Sequence, residues 1–317
     1  MSTGAHKILV TGANGFIGRR LVARLAEDPH FADAQITACD VTAPAHSSPR
    51  VESIAGDLAD DGFLARVTED APDLVFHLAS ILSGAAEANY DLARRVNIEA
   101  TLSLFEALRH PDAPPRVVFA SSKAVFGPPL PDRVDDMTQP FPTMVYGAHK
   151  RMMEIALEQF SARGWIDGIA IRLPGVFPRF DANARQRSAF ISLIFPAVAR
   201  GEDMVLPVAP DGTTWMISMP ACIDAFVHAA LVPPERLGQR RAMNLPAQNV
   251  AFGDLVAALK TAFPDSRSRI DYVPQADIVA QFGAQPPLAT PLADSLGFKH
   301  DGDLQTLIRR ALAEARA

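Results

Sequence analysis

Cysteine is scarce in this chain: only Cys39 and Cys222 occur among its 317 residues, and neither belongs to a CxxC pair or to a Cys/His cluster. This pattern excludes a disulfide framework and a structural zinc site, and we expect no catalytic metal. A surplus of positive charge is also lacking, since the formal net charge is −6 and the isoelectric point is near 5.8. Binding of nucleic acid through phosphate contacts is therefore not expected.

Long apolar runs are missing as well. The run at residues 8–10 is too short for the apolar core of a signal peptide, and no stretch approaches the ~20 apolar residues of a membrane span. Hydrophobic residues make up 48% and charged residues 21% of the chain, which is typical of a globular protein and excludes extended disorder. We expect a cytoplasmic protein without a membrane segment.

Short apolar runs alternate with helical patterns through the first half of the chain. The patterns predict helices at residues 16–26, 96–108 and 147–160, and strands at residues 7–10, 35–39, 74–78, 116–120 and 169–173. Continuous apolar strands separated by helices are typical of a parallel sheet that is covered on both faces. Because crossovers between parallel strands are right-handed, we predict an α/β fold with a doubly wound sheet.

The sequence pattern changes after Leu173. Prolines at positions 174, 178, 196, 207, 210 and 220 interrupt the helical patterns, and a helix is predicted over residues 188–199. We predict a first domain over residues 1–173 and a smaller C-terminal substrate lobe over residues 174–220 and 246–317. The intervening residues 221–245, with a helix at 221–231 and a strand at 242–245, are expected to return to the first domain.

A glycine-rich turn follows the first strand, with the sequence TGANGFIG at residues 11–18. In this GxxGxxG pattern Gly12 permits a tight turn, Gly15 lets the backbone approach a pyrophosphate, and Gly18 lets the helix pack closely on the strand. The phosphates would lie at the positive end of the helix. Because the triplet follows a strand and opens a helix, it predicts a dinucleotide-binding Rossmann domain.

Two aspartates follow later strands. Asp40 comes 22 residues after Gly18, at the end of the second strand, where a carboxylate accepts hydrogen bonds from a ribose diol and repels a 2′-phosphate. This position favours NAD over NADP, the alternative being an ordinary aspartate that starts a turn. Asp57, followed by Leu58, lies after a possible third strand and could meet the adenine amino group.

A tyrosine and a lysine lie four residues apart in the segment YGAHK at residues 146–150. On a helix this spacing places Tyr146 and Lys150 on one face, where the ammonium favours the phenolate and prepares the tyrosine for proton transfer. Ser122 follows the strand at residues 116–120, at the carboxyl end where such sheets bind ligands. A dinucleotide turn, a strand-end serine and a YxxxK helix in this order are an improbable coincidence.

The segments TGANGFIG, HLAS at residues 77–80, SSKAVFG at 121–127 and YGAHK, together with Asn97, resemble the motifs of the extended short-chain dehydrogenase/reductases, the family of the nucleotide-sugar epimerases and dehydratases. The resemblance implies that Ser122 orients the substrate oxygen, Tyr146 transfers its proton, Lys150 binds the nicotinamide ribose and Asn97 supports the relay. It also implies further cofactor contacts, at Asn14, Phe16, Ile17, Leu58, Leu78, Ala79, Ser80, Leu173 and Val176.

A narrower similarity covers nearly the whole chain. ILSGAAEANYDLARRVN, AVFGPPLPDRVDD, RGWIDGIAIRLPGV, SAF at residues 188–190 and PVAPDGTTWMISMP are similar to the D-erythronate dehydrogenase group. That similarity implies oxidation of the C2 hydroxyl of a four-carbon sugar acid with NAD. It departs at residues 173–179, LPGVFPR, where the group has a V-R-P-G-type segment followed by Asn.

The expected substrate is a small anion. Arg179, Arg185 and Arg187 precede the helix predicted at residues 188–199, and a guanidinium binds a carboxylate or phosphate bidentately, although loop arginines are often merely solvated. We take Arg179, Arg185, Ser188 and Ser83 as candidate substrate residues, together with Ser122 and Tyr146. For Ser83 the alternative is a turn or helix-capping serine.

These features predict an NAD-dependent dehydrogenase of a small sugar acid. A nucleotide-sugar 4-epimerase with the same apparatus is the alternative, and a non-catalytic dinucleotide-sensing regulator is a further one; Lys123 and Ala124 after Ser122 disfavour a dehydratase. The helices predicted at 96–108 and 147–160 carry more apolar residues than one buried stripe needs. This surplus predicts a homodimer, or else deep burial within one chain.

Overall fold

The computed structural model describes residues 6–179 and 187–314, which form twelve strands and twelve α-helices. The strands are β1 (Lys7–Thr11), β2 (Gln35–Asp40), β3 (Val51–Ala55), β4 (Leu74–His77), β5 (Arg116–Ser122), β6 (Asp167–Leu173), β7 (Gly175–Val176), β8 (Met204–Leu206), β9 (Thr213–Ile217), β10 (Ala242–Asn244), β11 (Gln248–Ala251) and β12 (Ile270–Tyr272).

The helices are α1 (Gly18–Glu27), α2 (Asp61–Thr68), α3 (Ser83–Ala88), α4 (Tyr90–Arg94), α5 (Thr101–Ala107), α6 (Val145–Ala162), α7 (Ala189–Arg200), α8 (Met219–Leu231), α9 (Phe252–Ala262), α10 (Ala276–Ile278), α11 (Pro291–Leu296) and α12 (Leu304–Glu314). A π-helical segment, Arg95–Ala100, joins α4 to α5. A short 3₁₀ turn, Lys123–Val125, follows β5 directly.

The main sheet has seven strands in the order β10-β6-β5-β4-β1-β2-β3. β1 pairs in parallel with both β2 and β4, which lie on its two sides. The strand order therefore reverses between β1 and β4, and in doubly wound sheets ligands bind at the carboxyl ends of the strands on either side of such a reversal. The predicted α/β, doubly wound fold class is confirmed.

Several boundaries differ from the sequence-based expectation. The helix predicted at 96–108 is a composite of α4, a π-helical segment and α5, and the helix predicted at 16–26 begins only at Gly18. Ser121 and Ser122 are the last two residues of β5 instead of following it. Pro196 lies inside α7 and Pro220 in the first turn of α8, so these two prolines do not interrupt helices as expected.

The chain divides into two compact units. The first comprises residues 1–127, 140–172 and 223–243. Its core is formed where strands of the main sheet meet the helices, and Leu9, Val75, Val117, Leu104 and Phe105 are all at most 1% exposed. Residues 128–139, expected in the first domain, belong instead to the second unit.

The second unit comprises residues 128–139, 173–222 and 244–317. It holds a three-stranded sheet in the order β11-β9-β7 and a parallel pair, β12-β8. Phe195, Leu206, Met216, Leu255 and Leu307 are completely buried in its own hydrophobic core. Across the ranges 6–179 and 187–314, no helix has the length and apolar character needed to cross a membrane.

Candidate active site

The glycine-rich turn lies between β1 and α1, at the reversal of strand order. Gly12 has a φ of +69°, and a Cβ placed on it would lie 2.6 Å from the backbone nitrogen of Ala79, after β4. A Cβ on Gly18 would lie 2.2 Å from the carbonyl oxygen of Gly12. Both positions require glycine, because any side chain would push apart the strand ends or the helix start.

The N-terminus of α1 directly follows the glycine-rich turn. Within the described chain, no side chain caps this helix at Ile17, and its first turn holds Gly18, Arg19 and Arg20 without a carboxylate. A helix start without an acidic cap and the helix dipole together favour an anion at this position. The predicted turn residues Asn14, Gly15, Phe16 and Ile17 lie in this segment.

Asp40 ends β2 beside the same turn. Its Oδ2 accepts a hydrogen bond from the backbone N–H of Asn14 at 3.0 Å, and its Oδ1 accepts one from the N–H of Val41 at 2.7 Å. The side chain is half-buried. A carboxylate has further lone pairs, so Asp40 retains acceptor capacity for hydroxyl groups.

Asp57 follows β3 and is held by local contacts. Its Oδ1 accepts the N–H of Ala59 at 2.9 Å, and its Oδ2 pairs with Arg95 at 2.9 Å. Leu58 is 9% exposed and packs in the core of the first unit, so only its backbone remains for a ligand. In the structure, Asp57 is held by hydrogen bonds and an ion pair, and Leu58 by packing in the core. Their predicted contacts with the cofactor stay a prediction.

Leu78, Ala79 and Ser80 form the loop after β4. The backbone N–H of Leu78 donates to the Thr11 carbonyl at 3.1 Å, which joins this loop to the end of β1. Beneath it, the ring of His77 bridges the hydroxyls of Thr11, at 2.7 Å, and Thr101, at 2.9 Å. Burial lowers the pKa of His77 to about 3, with Lys150 contributing, so the ring is neutral.

Asn97 lies in the π-helical segment and is 3% exposed. Its Oδ1 accepts the backbone N–H of Ile81 at 2.7 Å and the hydroxyl of Ser80 at 3.1 Å. Its Nδ2 donates to the Ile81 carbonyl at 3.0 Å. These bonds hold the loop after β4 in place. π-Bulges of this kind occur frequently at functional sites.

Ser122 ends β5, and its Oγ accepts the N–H of Ala124 at 3.1 Å, which shapes the following turn. The turn packs closely on the start of α6, because a Cβ on Gly147 would lie 2.0 Å from the carbonyl oxygen of Ala124. Gly147 directly follows Tyr146. The strand-end serine and the tyrosine are therefore carried by two segments in direct contact, as a joint site requires.

Tyr146 and Lys150 lie on α6, with the Lys150 Nζ 5.7 Å from the centre of the tyrosine ring. The same ammonium lies 4.6 Å from the centre of the Phe119 ring on β5. Lys150 is 3% exposed, and burial lowers its pKa to about 7 while Glu154 opposes this shift. Tyr146 is half-buried, so its phenol remains within reach of a ligand.

Sequence patterns did not indicate a buried ion pair behind these residues. Glu154 on α6 and Arg172 on β6 form a bidentate pair with both N–O distances at 2.9 Å. Ser121, next to Ser122, donates to the same carboxylate at 2.6 Å. A glutamate four residues beyond Lys150 was the one available signal, since residues at this spacing lie on one helix face.

The candidate substrate residues are divided between the two units. Ser83 begins α3 in the first unit and is half-buried. Arg179 and Ser188 belong to the second unit, as do the cofactor candidates Leu173 and Val176, and Arg185 lies outside the described residues.

Within the second unit, the backbone N–H of Arg179 donates to Ser192 at 2.9 Å. Burial raises the pKa of the Cys222 thiol and the Arg179 guanidinium partly opposes this, so that cation lies within electrostatic reach of the buried thiol. Arg187 pairs with Asp277 on the exposed surface.

Metal-ligating side chains do not cluster in the described part of the chain: no three His, Cys, Asp or Glu residues there converge on a point that could hold an ion. Cys39 and Cys222 are buried free thiols. Burial raises the pKa of Cys39 to about 12, so its thiolate is not available as a nucleophile.

Comparison with known proteins agrees with this geometry. Residues 8–217 match the NAD dependent epimerase/dehydratase family. The chain belongs to that family. It is thus an enzyme of the extended short-chain dehydrogenase/reductase type, which uses a nicotinamide dinucleotide, and the glycine turn, the uncapped helix start and Asp40 fit such a cofactor.

Relatives within the family include two D-erythronate dehydrogenases. The one from Cupriavidus necator is 34% identical, with 97% of this chain and 98% of that protein covered. The one from Haemophilus influenzae is 30% identical, with 96% and 98% covered. Among solved structures, a nucleoside-diphosphate-sugar epimerase from Agrobacterium tumefaciens superposes with a TM-score of 0.90 at 31% identity, covering 98% of this chain and 94% of that one.

Proposed function

We propose that this protein is an NAD-dependent dehydrogenase that oxidises a secondary hydroxyl of a small sugar acid, of the D-erythronate type, from the C2 alcohol to the 2-oxo acid. The observation that carries the proposal is the arrangement of Ser122, Tyr146 and Lys150 on two segments in direct contact within the unit that bears the glycine turn. Two relatives at 34% and 30% identity over nearly their full length, both D-erythronate dehydrogenases, support the substrate class.

NAD is the proposed cofactor because of Asp40. A carboxylate at the end of β2 accepts hydrogen bonds from ribose hydroxyls and repels a 2′-phosphate. The contact between Asp40 and the N–H of Asn14 holds this carboxylate against the phosphate-binding turn. Bound NAD would supply the acceptor for the hydride that leaves the carbon carrying the substrate hydroxyl.

The chain itself supplies proton transfer and orientation. Tyr146, as the phenolate, takes the proton from the substrate hydroxyl, and Ser122 orients that oxygen by a hydrogen bond. The Lys150 ammonium favours the phenolate by its positive charge and would donate a hydrogen bond to the nicotinamide ribose. Burial of Lys150 increases the effect of its charge on Tyr146, because little water screens it.

Recognition of the acid requires a cation and hydroxyl partners. We assign the cation to Arg179 or Arg185 and the hydroxyl partners to Ser83 and Ser188. A guanidinium binds a carboxylate bidentately, which orients the acid as well as holding it. Arg187 already pairs with Asp277, so it is a poorer candidate for binding the acid than its place in the sequence suggests.

We also propose that the enzyme is a cytoplasmic homodimer. Tyr90 on α4 and Met152 and Ile155 on α6 are 53%, 48% and 47% exposed, so helices with a buried face also present apolar side chains outward. A second copy of the chain would cover this surface. Light scattering during gel filtration tests the assembly: a mass of one chain would contradict it.

The function is tested by incubating the protein with NAD and a panel of three- to six-carbon aldonic acids, including D-erythronate, and following NADH by its absorbance. We expect sustained NADH formation with one acid or a small group of acids. The likeness to a nucleoside-diphosphate-sugar epimerase favours a second candidate, a 4-epimerase. If no acid in the panel gives NADH and the protein interconverts nucleotide sugars, the 4-epimerase would replace the dehydrogenase as the proposed function.

A further inference from the structure

The ion pair between Glu154 and Arg172 is enclosed in the first unit, behind the catalytic face of α6. Glu154 is completely buried and Arg172 is 7% exposed. The Glu154 carboxylate accepts the Arg172 Nε and Nη2, both at 2.9 Å, the Ser121 hydroxyl at 2.6 Å and the Arg151 Nη1 at 3.0 Å. The Arg172 guanidinium also lies 5.2 Å from the centre of the Phe126 ring.

Stability alone is a poor explanation for this pair. A buried ion pair seldom stabilises a fold more than apolar residues of similar volume, because both charges lose their hydration. The contacts instead connect three elements, two of which carry the proposed catalytic residues. Ser121 immediately precedes Ser122 on β5, Glu154 lies one helical turn beyond Lys150 on α6, and Arg172 stands on the neighbouring strand β6.

Lys150 is a buried titratable group that responds to the charge of Glu154. Burial lowers its pKa and Glu154 raises it. The charged and titratable groups packed around the ammonium and this pair are His77 on β4, Lys123 on the turn after β5, Arg172 on β6, and Tyr146, Arg151 and Glu154 on α6 itself. Glu87 of α3 contacts α6 at a different place, where it accepts the backbone N–H of Val145 at 2.7 Å.

We propose that Glu154 and Arg172 are a positioning pair for catalysis: they clamp the end of β5 against α6 and set the net charge that Lys150 experiences from behind the site. The proposal rests on the proposed roles of Ser122, Tyr146 and Lys150. The Glu154 anion raises the pKa of Lys150 against the effect of burial, and Arg172 and Arg151 hold that carboxylate in place. An anion at Glu154 and a cation at Arg172 act on the charged form of Lys150 in opposite directions.

Because Glu154 and Arg172 carry opposite charges, variants of the two residues can distinguish an effect of charge on Lys150 from a merely structural role. Glu154→Gln leaves the Arg172 cation uncompensated, which disfavours a second cation at Lys150. Arg172→Met leaves the Glu154 anion, which Ser121 and Arg151 continue to hydrogen-bond, and it favours the Lys150 cation. Structural damage alone would not move the titration of Lys150 in opposite directions for the two variants.

The titration is measured directly by NMR on the apoenzyme labelled with ¹³C at the lysine ε carbon. The chain has five lysines, at positions 7, 123, 150, 260 and 299, so the spectrum holds few resonances, and the signal missing from Lys150→Gln assigns Lys150. Relative to the unsubstituted protein, we expect the midpoint to fall by about one pH unit in Glu154→Gln and to rise by about one in Arg172→Met. In the double variant it should return close to the original value.

A matched control lies on the same strand. Asp167, at the start of β6, pairs with Arg116 and Arg241 at 2.6 Å in a largely buried cluster. Asp167→Asn breaks an ion pair of the same kind about 17 Å away along the strand, so it should lower stability without moving the Lys150 midpoint. A shift of similar size in this control would overturn the proposal.

Two further outcomes would also overturn it: midpoints that move in the same direction in both single variants, or that do not move. If the single variants fail to fold, the double variant, Glu154→Gln with Arg172→Met, is tested instead. Replacing both members of a buried ion pair with uncharged residues is tolerated better than removing one member and leaving the other charge unpaired. The double variant should lose at least tenfold in kcat with an unchanged Lys150 midpoint, and undiminished turnover would contradict the clamp. The NMR measurement needs no substrate, so the two proposals can fail separately. If the Lys150 midpoints shift in opposite directions but the protein oxidises no acid, the role of the pair stands and the proposed function is rejected.

Discussion

The backbone N–H of Asn14 donates to the carboxylate of Asp40 at 3.0 Å, which ties the glycine-rich turn after β1 to the end of β2. The second carboxylate oxygen accepts the N–H of Val41 at 2.7 Å. Asp40 therefore holds the glycine-rich turn in place. In the proposed function it also presents negative charge to the ribose of the dinucleotide.

Asp40 variants can separate these two functions. Asp40→Asn removes the charge but keeps an oxygen that can accept the Asn14 N–H, so we expect the preference for NAD over NADP to fall at least tenfold with little loss of NAD affinity. Asp40→Ala should lose the same preference and also weaken the binding of both cofactors, because the turn loses its anchor. Fluorescence titration with NADH and NADPH measures both effects, and an unchanged affinity ratio would contradict the ribose assignment.

Tyr146→Phe removes the proton-accepting oxygen and leaves the ring beside Lys150. We expect kcat for the oxidised acid to fall about 10²- to 10⁴-fold, the range typical of positioned acid–base groups, while NAD affinity changes by less than about threefold. Stopped-flow or steady-state NADH formation gives the rate. Tyr272→Phe, which removes the same atom from a tyrosine on β12 in the second unit, is the control and should retain turnover. Retained activity in Tyr146→Phe would remove this residue from the mechanism.

The local motifs could be found from the sequence because each is contiguous. The glycine triplet, Asp40, Ser122 and the YxxxK pair each lie within a few residues of a predictable strand or helix boundary, and the strand periodicity placed them at one edge of the sheet. The structure adds why Gly12 is required, namely the Ala79 backbone 2.6 Å from its missing Cβ. That distance joins residues far apart in the chain, so no local pattern reports it.

Long-range partners were the features that the sequence could not supply. Asn97 bonds to Ser80 and Ile81 across 16 or 17 positions, and Arg172 reaches Glu154 across 18. The π-helical segment that carries Asn97 has the same apolar spacing as an α-helix over so short a length, so residues 96–108 were predicted as one continuous helix. The sequence shows that α6 has more apolar residues than one buried stripe needs, but it does not show which of them face outward. In the structure Met153 is 4% exposed and its neighbour Met152 is 48% exposed.

Gly12→Ala tests the close approach of the two strand ends. A Cβ at this position meets backbone atoms at 2.6 to 2.8 Å, and the φ of +69° is strained for any other residue. We expect a loss of about 1–3 kcal/mol in the free energy of unfolding and at least a tenfold weaker NADH affinity. Urea denaturation and fluorescence titration measure the two effects.

Gly84 supplies the control for this substitution. It lies in α3, and a Cβ placed on it has no neighbour within 4 Å among the described residues. Gly84→Ala should therefore be neutral or stabilise by up to about 1 kcal/mol, since alanine favours a helix over glycine. An equal loss of stability in both variants would show that the effect at Gly12 does not arise from the crowded strand ends.

His77 gives the first unit a stability that depends on pH. Burial, with a contribution from Lys150, holds its folded pKa at about 3, below the ordinary value of 6.5. Between these values the unfolded chain binds a proton that the folded protein excludes, so the stabilisation is complete above about pH 6.5 and decreases as the pH falls toward 3. From pH 8 to pH 5 the loss is about 2 kcal/mol. His77→Gln, which retains polar groups for Thr11 and Thr101, should reduce the decrease in urea midpoint over this interval by a corresponding amount. His110→Gln alters an exposed histidine and should leave it unchanged; a pH dependence that survives His77→Gln in full would assign the acid sensitivity to other groups.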